Sequence, residues 1–318
     1  MTPDLKVLIV STAVDAATDV VVRILGERGA SVTRVNSEDL PFDGSLSIDF
    51  HSASDTTLQY NGKGIAALAI WYRRVRTPPK PEKMDSGIYD FCLRENRATL
   101  LGGLMTQRTR WMNHPAAVWQ AEFKPFQLRV AQDVGLRIPK TLISNDPCAI
   151  ARAQTQFGRM IVKPARSGHF WHGGEEYAIF TSALSAERLD SLDDARWTPS
   201  IYQELVPKEV DVRVTFVGGK FFAAAIHSQT DPTAAIDWRK TENAGLPHSK
   251  IELPDLLLER LQQLMALLGL EFGCIDLVKT PMGEYVFLEV NPSGQWLWLD
   301  DKLGLGISSA VADWLIAT

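Results

Sequence analysis

The chain has 318 residues, a mass of 35.3 kDa and a formal net charge of −5, with a pI near 5.7. This length predicts about two domains, and a content of 45% apolar and 22% charged residues is typical of a folded soluble protein. The composition excludes a collagen-like repeat, a long disordered tail and a small scaffold built on disulfides. The acidic balance argues against a broad electropositive surface for duplex DNA, so we expect no nucleic-acid partner.

The cysteines and the lengths of the apolar segments indicate the cellular compartment of the protein. Cys92, Cys148 and Cys274 lie far apart and form no CxxC pair, which excludes zinc-ribbon and thioredoxin-type motifs. A sparse, odd set of cysteines is typical of a reducing compartment. The N-terminus has no signal-peptide pattern, and no apolar stretch approaches the ~18 residues of a membrane span. We therefore expect a cytoplasmic protein that does not enter membranes.

The N-terminal third has a strand–helix–strand pattern. A continuous apolar run over residues 6–11 predicts a strand buried on both faces, and residues 15–29 and 31–35 predict a helix and a second strand. This order implies a parallel sheet. The turn at residues 12–15 contains no glycine, so the GxGxxG fingerprint is absent and we expect neither NAD nor FAD.

A hairpin over residues 45–60 and a buried strand over residues 65–72 come next. The strand runs into Arg73, Arg74 and Arg76 and then into prolines, so it ends at a loop. Ligands bind at the carboxyl ends of strands in α/β sheets. These arginines are therefore candidates to meet an anion, and a solvated strand end is the alternative.

The remaining elements complete a division into three predicted domains, residues 1–112, 113–200 and 201–318. The first boundary follows a long helix over residues 88–110. Beyond it we predict helices at 116–134, 184–192, 254–269 and 307–316, and strands at 137–143, 160–164, 201–205, 210–217, 220–226, 272–278 and 284–290. Pro125 is expected to restart the first of these helices, because proline fits a first helical turn.

Three oxygen-bearing side chains fall on the last predicted hairpin. Asp276 interrupts an apolar strand, and Glu289 and Asn291 stand two residues apart, so they share one face of the partner strand. Buried carboxylates without a partner are costly, and hard oxygen ligands suit Mg²⁺. The pattern predicts a magnesium site that leaves positions for water and substrate phosphates. Three polar residues at a sheet margin are the alternative.

Two lysines and an extended strand end carry features of a nucleotide site. Lys124 and Lys163 stand at junctions of a helix and a strand, and a Ser-Gly loop follows Lys163. Lysines supply a point charge to phosphates, and the N–H groups of such a loop can cradle them. Residues 201–209 form a strand that runs into a proline-held linker, whose edge offers N–H and C=O groups to an adenine ring.

In chain order, these parts resemble the ATP-grasp superfamily over about residues 113–300. The resemblance rests on the two lysines, the Gln-Glu-Leu hinge at 203–205, Asp-Val-Arg at 211–213 and the Asp…Glu-x-Asn set. The N-terminal part is similar to the pre-ATP-grasp domain. The resemblance implies an α/β protein, α+β in its C-terminal part, with an ATP-grasp fold preceded by a Rossmann-like pre-ATP-grasp domain.

A closer resemblance covers nearly the whole chain and links it to the ATP-grasp peptide maturases of the microviridin type, the graspetide synthetases. It rests on WYRR at 71–74, NHP at 113–115, KPFQL at 124–128, IPKTLISN at 138–145 and EVNPSGQWLW at 289–298. Ser293 departs from the family pattern, which has asparagine there. The resemblance implies an enzyme that uses ATP and Mg²⁺ to cyclise a ribosomally made precursor peptide, joining acidic side chains to Ser/Thr hydroxyls or Lys amines as ω-esters or ω-amides.

The resemblance also assigns roles to the matching residues. It implies that Lys124 and Lys163 contact the α- and β-phosphates, under a closing loop around Ser167 and Gly168. The other implied contacts are adenine with Glu204 and Leu205, ribose with Glu209, the transferring phosphoryl group with Arg213 and Arg239, and Mg²⁺ with Asp276, Glu289 and Asn291. An ordinary ion pair with Asp211 or Asp237 is the alternative for the two arginines.

The implied partner is a precursor peptide with a leader and an acidic core, and the family suggests a homodimer. The acidic segment at residues 185–194 is either a docking site for a basic leader residue or a solvated amphipathic helix. Arg73, Arg74 and Arg76 are candidates to attract the acidic core.

Two other functions stay open. An ATP-grasp carboxylate–amine ligase would use the same residues to add an amino acid to a small molecule or a protein tail. A nucleotide-binding regulator without catalysis is expected to lack metal ligands, whereas Asp276, Glu289 and Asn291 are all present. Release of ADP separates the regulator from both enzymes.

Overall fold

The computed structural model describes residues 5–52, 55–166, 168–173, 175–189, 192–241 and 245–317. The chain forms two compact units. The first contains the residues up to Val118, Gly269–Phe272 and the residues from Gln295 onward, and the second contains Trp119–Leu268 and Gly273–Gly294. The described residues among those predicted to bind nucleotide or metal belong to the second unit. The predicted domain boundaries after residues 112 and 200 stay a prediction.

The N-terminal elements build two sheets of the first unit. In chain order they are β1 (Lys6–Ser11), α1 (Ala16–Glu27), β2 (Ser31–Asn36), β3 (Leu46–Ser52), β4 (Asp55–Tyr60), β5 (Lys63–Gly64), β6 (Ala69–Tyr72), α2 (Ser86–Met105), β7 (Arg110–Met112) and α3 (Pro115–Ala121). One sheet has the order β2-β1-β6-β7 with parallel pairs throughout, which confirms the predicted parallel sheet. The other is an antiparallel sheet of β3, β4 and β5.

The rest of the chain supplies the second unit and two closing helices. Its elements are α4 (Lys124–Asp133), β8 (Thr141–Ser144), α5 (Pro147–Phe157), β9 (Met160–Pro164), β10 (His169–His172), β11 (Glu175–Ala178), β12 (Ser182–Ala183), α6 (Ala186–Leu189), β13 (Ser200–Glu204), β14 (Val210–Val217), β15 (Lys220–Ile226), β16 (His248–Lys250), α7 (Asp255–Leu267), β17 (Phe272–Lys279), β18 (Tyr285–Asn291), α8 (Leu297–Leu303) and α9 (Ile307–Ile316). Both α8 and α9 pack within the first unit. Within the described ranges, no helix is long and apolar enough to cross a membrane.

The core of the first unit follows from the apolar run of β1. This strand has a parallel neighbour on each side, and its residues 7–10 are at most 1% exposed. The helix α1 covers the sheet and packs on α9. It begins at Ala16 because the Asp15 side chain accepts a hydrogen bond from the Thr18 N–H and caps the first turn.

A buried charge pair also lies in this core. Arg73 is only 2% exposed, and its Nε donates to the Asp15 carboxylate at 3.0 Å. Its guanidinium lies over the Trp296 ring, 4.2 Å from the centroid, and donates to Gln295 at 2.9 Å. Burial alone would raise the pKa of Asp15, but Arg73 and the hydrogen bonds from Thr18 and Ser11 hold this pKa below its usual value. Arg73 is therefore part of the core, and its side chain is not a solvated cation at the end of β6.

The second unit is built on two antiparallel sheets. One has the order β12-β9-β13-β8, with α5 packed against it through Ile150 and Ala153. The other has the order β16-β15-β14-β17-β18, and every residue of β14 is buried. The hairpin of β10 and β11 stands apart as a two-stranded sheet. Lys163 lies on β9 of one sheet, and the predicted metal ligands lie on β17 and β18 of the other.

Several predicted strands coincide with observed ones, and the differences have local causes. The predicted strand over residues 65–72 shortens to β6, because the Ile65 N–H donates to Leu58 and joins the other sheet. The predicted helix over residues 88–110 ends at Met105, because residues 110–112 form β7 and pair with β6.

The predicted helix over residues 116–134 is divided into α3 and α4, and Pro125 lies in the first turn of α4, as expected. Of the acidic helix predicted over residues 184–192, the described residues form α6 at Ala186–Leu189, and residues 190 and 191 lie outside them. A 3-10 turn follows at Asp193–Trp197. The helices α5 and α8 were not predicted.

Replacing Arg73 with methionine is expected to lower the free energy of unfolding by about 3–5 kcal/mol, because Asp15 would lose its cation while remaining buried. Chemical denaturation of the variant and the wild type measures this loss. The double variant Asp15→Asn/Arg73→Met removes both charges and is the matched control, expected to recover part of the loss. A loss below about 1 kcal/mol for the single variant would mean that the pair behaves like an exposed salt bridge and would contradict the prediction.

Candidate active site

The centre of the site is set by the pairing of β17 with β18. Asp276 lies directly opposite Glu289 in this antiparallel register, and Cys274 lies opposite Asn291. The sequence expectation that Asp276 faces Glu289 from the partner strand is therefore confirmed. The register shifts immediately after Asp276, where Leu277 pairs with Phe287. Bulges of this kind bend a strand and re-aim its side chains.

Glu289 is a carboxylate with a side chain only 14% exposed, and three cations lie within 4 Å of it. Its Oε2 lies 3.0 Å from Lys124 Nζ and 3.9 Å from Lys163 Nζ, and its Oε1 lies 3.6 Å from Arg239 Nη1. Burial alone would raise the pKa of Glu289, but the charges of Lys163, Lys124 and Arg239 hold it well below its usual value. Glu289 is therefore an anion at neutral pH.

Asp276 is held by a different cation. Arg213 on β14 donates from Nη1 to both carboxylate oxygens, at 2.9 and 2.8 Å. Burial alone would lower the pKa of Arg213, but Asp276 raises it above its usual value. Asp211, the alternative partner considered for Arg213, accepts from Lys208 at 2.8 Å.

Lys163 is a buried lysine of the site. It interrupts the apolar strand β9 and is 8% exposed. Burial lowers its pKa, Lys124 lowers it further, and Glu289 acts in the opposite direction. An additional anion would stabilise the charged form of a buried lysine that lies beside a second lysine. Phosphate oxygens are suited to supply this negative charge.

The donor set fits Mg²⁺. Asp276 and Glu289 offer carboxylate oxygens from paired strands, and Asn291 offers an amide oxygen, Oδ1, which accepts from the Ser293 N–H at 2.9 Å. Such hard oxygen donors suit magnesium, which usually keeps several waters and substrate oxygens in its shell. In the part of the chain that the structure describes, no three His, Cys, Asp or Glu side chains are grouped to hold a metal. Other ligands from water and substrate would therefore have to complete the shell.

Two cavities open beside these side chains. The first, of about 90 Å³, is bordered by the hinge residues 203–206 and by the apolar side chains Ile161, Trp238 and Leu288. The second, of about 550 Å³, is bordered by Lys124, Asn291 and the segment from Ala178 to Thr181, among others. Four residues line both cavities and mark their junction: Lys163, Thr181, Arg239 and Glu289.

The predicted hinge residues lie at the first cavity. Glu204 and Leu205 both line it. Their N–H groups have partners within the protein, since Glu204 donates to the Lys140 carbonyl and Leu205 to the Arg159 carbonyl. Glu209 lies elsewhere among the described residues: its carboxylate is half-exposed and pairs with Lys279 at 3.2 Å. Lys208 and Asp211 line the first cavity instead, and the sequence reasoning missed both.

The loop predicted to cover the phosphates is described in part. Ser167 lies outside the described residues. Gly168 lines the second cavity, and a Cβ at this position would lie 2.2 Å from the Ile179 carbonyl oxygen, so only glycine fits there. Its own carbonyl accepts from the Ile179 N–H at 2.8 Å. This contact joins the loop to the strand end beyond β11.

Arg239 forms the ion pair with Asp237 that is the alternative to a phosphoryl contact, and it also lies near Glu289. Asp237 accepts from its Nε and Nη2, each at 2.9 Å, while Nη1 lies near Glu289. Burial alone would raise the pKa of Asp237, but the contacts with Arg239 and the Thr181 N–H leave it below its usual value. The sequence reasoning treated Asp237 only as an alternative ion-pair partner. The sequence feature that indicates a role for Asp237 is its position two residues before Arg239, a predicted site residue.

Known proteins resemble this chain along its whole length. The family model described as the MvdD pre-ATP grasp domain matches residues 6–118. The solved structure of a Chryseobacterium gregarium RiPP-associated ATP-grasp ligase, in complex with ADP and a leader and core peptide, is 28% identical, with a TM-score of 0.88 over 98% of this chain and 96% of that one. Macrocyclase MdnC from Microcystis aeruginosa, bound with precursor peptide MdnA, is 29% identical, with a TM-score of 0.87 over 99% and 100% of the two chains.

A more distant relative is beta-citrylglutamate synthase B from Danio rerio, 26% identical over 230 residues. That match takes in 69% of this chain but spans only about half, 53%, of the length of the relative. Macrocyclase MdnB from Microcystis aeruginosa is 33% identical, with a TM-score of 0.80 over 99% of this chain and 100% of that one. Because identity at this level extends over both whole chains, this chain belongs to the family of ATP-grasp macrocyclases.

Proposed function

We propose that the protein is an ATP-dependent macrocyclase of a ribosomally synthesised precursor peptide. It activates Asp or Glu side chains of the peptide as acyl phosphates and joins them to Ser/Thr hydroxyls or Lys amines. The observation that carries the proposal is the full-length similarity to peptide-modifying ATP-grasp enzymes, whose solved structures hold ADP and precursor peptides. The cation-rich junction of two cavities around Glu289 supplies the chemistry that such a reaction needs.

The reaction balances over two steps. Transfer of the γ-phosphoryl group from ATP to a peptide carboxylate releases ADP and leaves an acyl phosphate. A hydroxyl or amine of the same peptide then attacks the acyl carbon, gives up its proton, and inorganic phosphate leaves. Each ring therefore consumes one ATP and removes the elements of one water from the peptide, which lowers its mass.

Lys124 and Lys163 are proposed to hold the phosphates of ATP. Both contact Glu289, and Lys163 lies at the junction of the two cavities. Bound phosphate oxygens would replace the carboxylate as the partner of the lysines. Asp276, Glu289 and Asn291 are proposed to hold Mg²⁺, which when bound screens the charge of the phosphates. The apolar slot beside Glu204 and Leu205 suits the adenine ring.

Arg213 and Arg239 are proposed to stabilise the transferring phosphoryl group. Charge spreads over the equatorial oxygens of that group during transfer, and preorganised cations lower the free energy of this state. Arg213 is held by Asp276 and Arg239 by Asp237, so both guanidinium groups are oriented before substrate arrives. An acyl phosphate reacts with water, so the site must also exclude solvent. The loop around Gly168 lies at the second cavity and is suited to this task.

The acidic core of the peptide is proposed to enter the second cavity. This cavity is lined by four cations, Lys124, Lys163, Arg166 and Arg239, which favour a substrate carboxylate. The exposed acidic residues Glu187, Asp193 and Asp194 are proposed to receive a basic residue of the leader. We further propose a homodimer in the cytoplasm; light scattering of the purified chain tests the dimer.

A carboxylate–amine ligase is the second candidate function. The match to beta-citrylglutamate synthase B favours it, since that name describes an enzyme that joins two small molecules. The macrocyclases match more of this chain, 99% in each case against 69%. The macrocyclase function is therefore better supported than the carboxylate–amine ligase function.

Co-expression with a candidate precursor tests the proposed function. The candidate is a short reading frame beside this gene, rich in Thr/Ser/Lys and Asp/Glu. The expected result is a peptide that has lost whole waters, because each ring removes one, as mass spectrometry measures. A gain of amino-acid residue masses would favour the second candidate. An unchanged peptide with ATP still hydrolysed would contradict the substrate assignment and leave the superfamily assignment standing.

Glu289→Ala and Lys163→Ala are expected to abolish this mass loss while leaving the fold intact, because each removes a group from the junction of the cavities. Circular dichroism checks the fold, and an assay of ADP release checks turnover. Normal ADP release by either variant would refute its proposed role.

Gly294→Ala is expected to lower kcat by about 10²-fold, because it disturbs Arg213, a cation aimed at the transferring group. A Cβ at Gly294 would lie 2.8 Å from Arg213 Nη2 and 2.4 Å from Cys274 Cβ. The measurement is steady-state ADP release.

Gly103→Ala is the matched control for this substitution. A Cβ at Gly103 would lie 2.6 Å from Ile48 Cδ1 in the first unit, so it introduces a comparable overlap away from the site. The control is expected to lower the melting temperature and keep kcat. If Gly294→Ala were as active as the wild type, the proposed part of Arg213 in the reaction would be wrong.

A further inference from the structure

Asp237 is a buried carboxylate at the start of the 3-10 turn Trp238–Lys240, and it is 4% exposed. It accepts four hydrogen bonds. Its Oδ1 accepts from the Arg239 N–H at 3.1 Å and from Arg239 Nε at 2.9 Å. Its Oδ2 accepts from Arg239 Nη2 at 2.9 Å and from the Thr181 N–H at 3.0 Å. One side chain thus binds two segments that are more than 50 residues apart in sequence.

These contacts fix the direction of the Arg239 guanidinium. Asp237 engages Nε and Nη2 in a fork, and the remaining nitrogen, Nη1, lies 3.6 Å from Glu289 Oε1. The Arg239 side chain is about half exposed, so packing alone does not hold it. A two-point contact with a carboxylate restricts a guanidinium far more than a single hydrogen bond does. Asp237 therefore directs Nη1 to the junction of the two cavities.

The fourth hydrogen bond joins this arrangement to the hairpin. Thr181 lies between β11 and β12, directly after the segment that leaves the hairpin of β10 and β11. It lines both cavities, as Arg239 does. The preceding residues contact the loop of Gly168 through the Ile179 N–H. A shift of the hairpin exit at Thr181 would therefore act on the same carboxylate that orients Arg239.

We propose that Asp237 is a positioning residue that holds Arg239 toward the transferring phosphoryl group and couples this arginine to the exit of the hairpin at Thr181. The inference rests on the proposed function for the part played by Arg239. It extends that function by assigning a role to a residue that does not itself touch the reacting atoms. Loss of the carboxylate leaves Arg239 charged but without a fixed direction.

Two substitutions test the proposal, Asp237→Asn and Asp237→Ala. The asparagine keeps the size of the side chain but replaces one acceptor oxygen with an NH₂ group, which cannot accept from Arg239. We expect kcat for ADP release, measured with Mg-ATP and the precursor peptide, to fall about 10²-fold. The KM for ATP is expected to change less than about threefold, because the hinge and the two lysines are retained.

Hydrogen exchange supplies a readout that needs no substrate. In Asp237→Ala the Thr181 N–H loses its acceptor, so exchange in peptides that cover Thr181 is expected to rise. Exchange in the buried strand β14 is expected to match the wild type and shows that the variant is folded. Unchanged exchange at Thr181 in this variant would overturn the proposed coupling.

The matched control is Asp300→Asn. Asp300 is also a carboxylate with several acceptor contacts, since it receives the Ile307 and Ser308 N–H groups at 2.8 Å and the Ser308 hydroxyl at 2.7 Å. It lies in the first unit and caps α9. Its substitution is expected to lower the melting temperature while kcat stays within about twofold of the wild type.

The outcomes separate this inference from the proposed function. A folded Asp237→Asn variant with the kcat of the wild type would overturn the inference while the proposed function stands. A wild-type protein that neither binds ADP nor releases it would refute the proposed function, and the exchange at Thr181 would still report on the contact with Asp237. A fall in kcat with a steady KM and faster exchange at Thr181 would support the proposal.

Discussion

The carboxylate of Glu289 brings together cations from three separate parts of the chain. Lys124 lies at the start of α4, Lys163 on β9, and Arg239 in the 3-10 turn Trp238–Lys240 between β15 and β16. Each lies within 4 Å of Glu289. Without this carboxylate the three cations would repel one another. With Arg213, Asp276 and Asp237 included, four described cations face three carboxylates. The site thus carries excess positive charge, which a bound triphosphate would neutralise.

We propose that the ion pairs of this site change when nucleotide binds. In the structure, Lys124 and Lys163 neutralise Glu289; with nucleotide bound, the same lysines would turn to phosphate and leave Glu289 to Mg²⁺. Arg213 and Arg239 are restrained differently, since their own carboxylates, Asp276 and Asp237, fix their directions. Under this proposal the two lysines bind nucleotide by changing partners. The two arginines, held in place by their carboxylates, act in phosphoryl transfer.

Local patterns in the sequence were enough to predict the strands of the site and the last hairpin, with Asp276 and Glu289 on its two strands. A charged residue inside an apolar strand, as with Lys163 on β9 and Asp276 on β17, marked the chemistry because burial of a charge is costly. Partners from distant parts of the chain could not be predicted. Arg73 pairs with Asp15 in the core, and Asp237 binds Thr181, because the fold brings these residues together and no local spacing encodes the contact. The ribose contact assigned to Glu209 stays a prediction, and the described structure places Lys208 and Asp211 at the cavity.

The most direct test of the exchange of partners is anomalous diffraction from a crystal grown with ADP and Mn²⁺ in place of Mg²⁺. The account predicts an anomalous peak at coordination distance from the carboxylates of Asp276 and Glu289, with Lys124 turned from Glu289 toward the phosphates. A peak elsewhere, or nucleotide bound while Lys124 keeps its ion pair with Glu289, would contradict it.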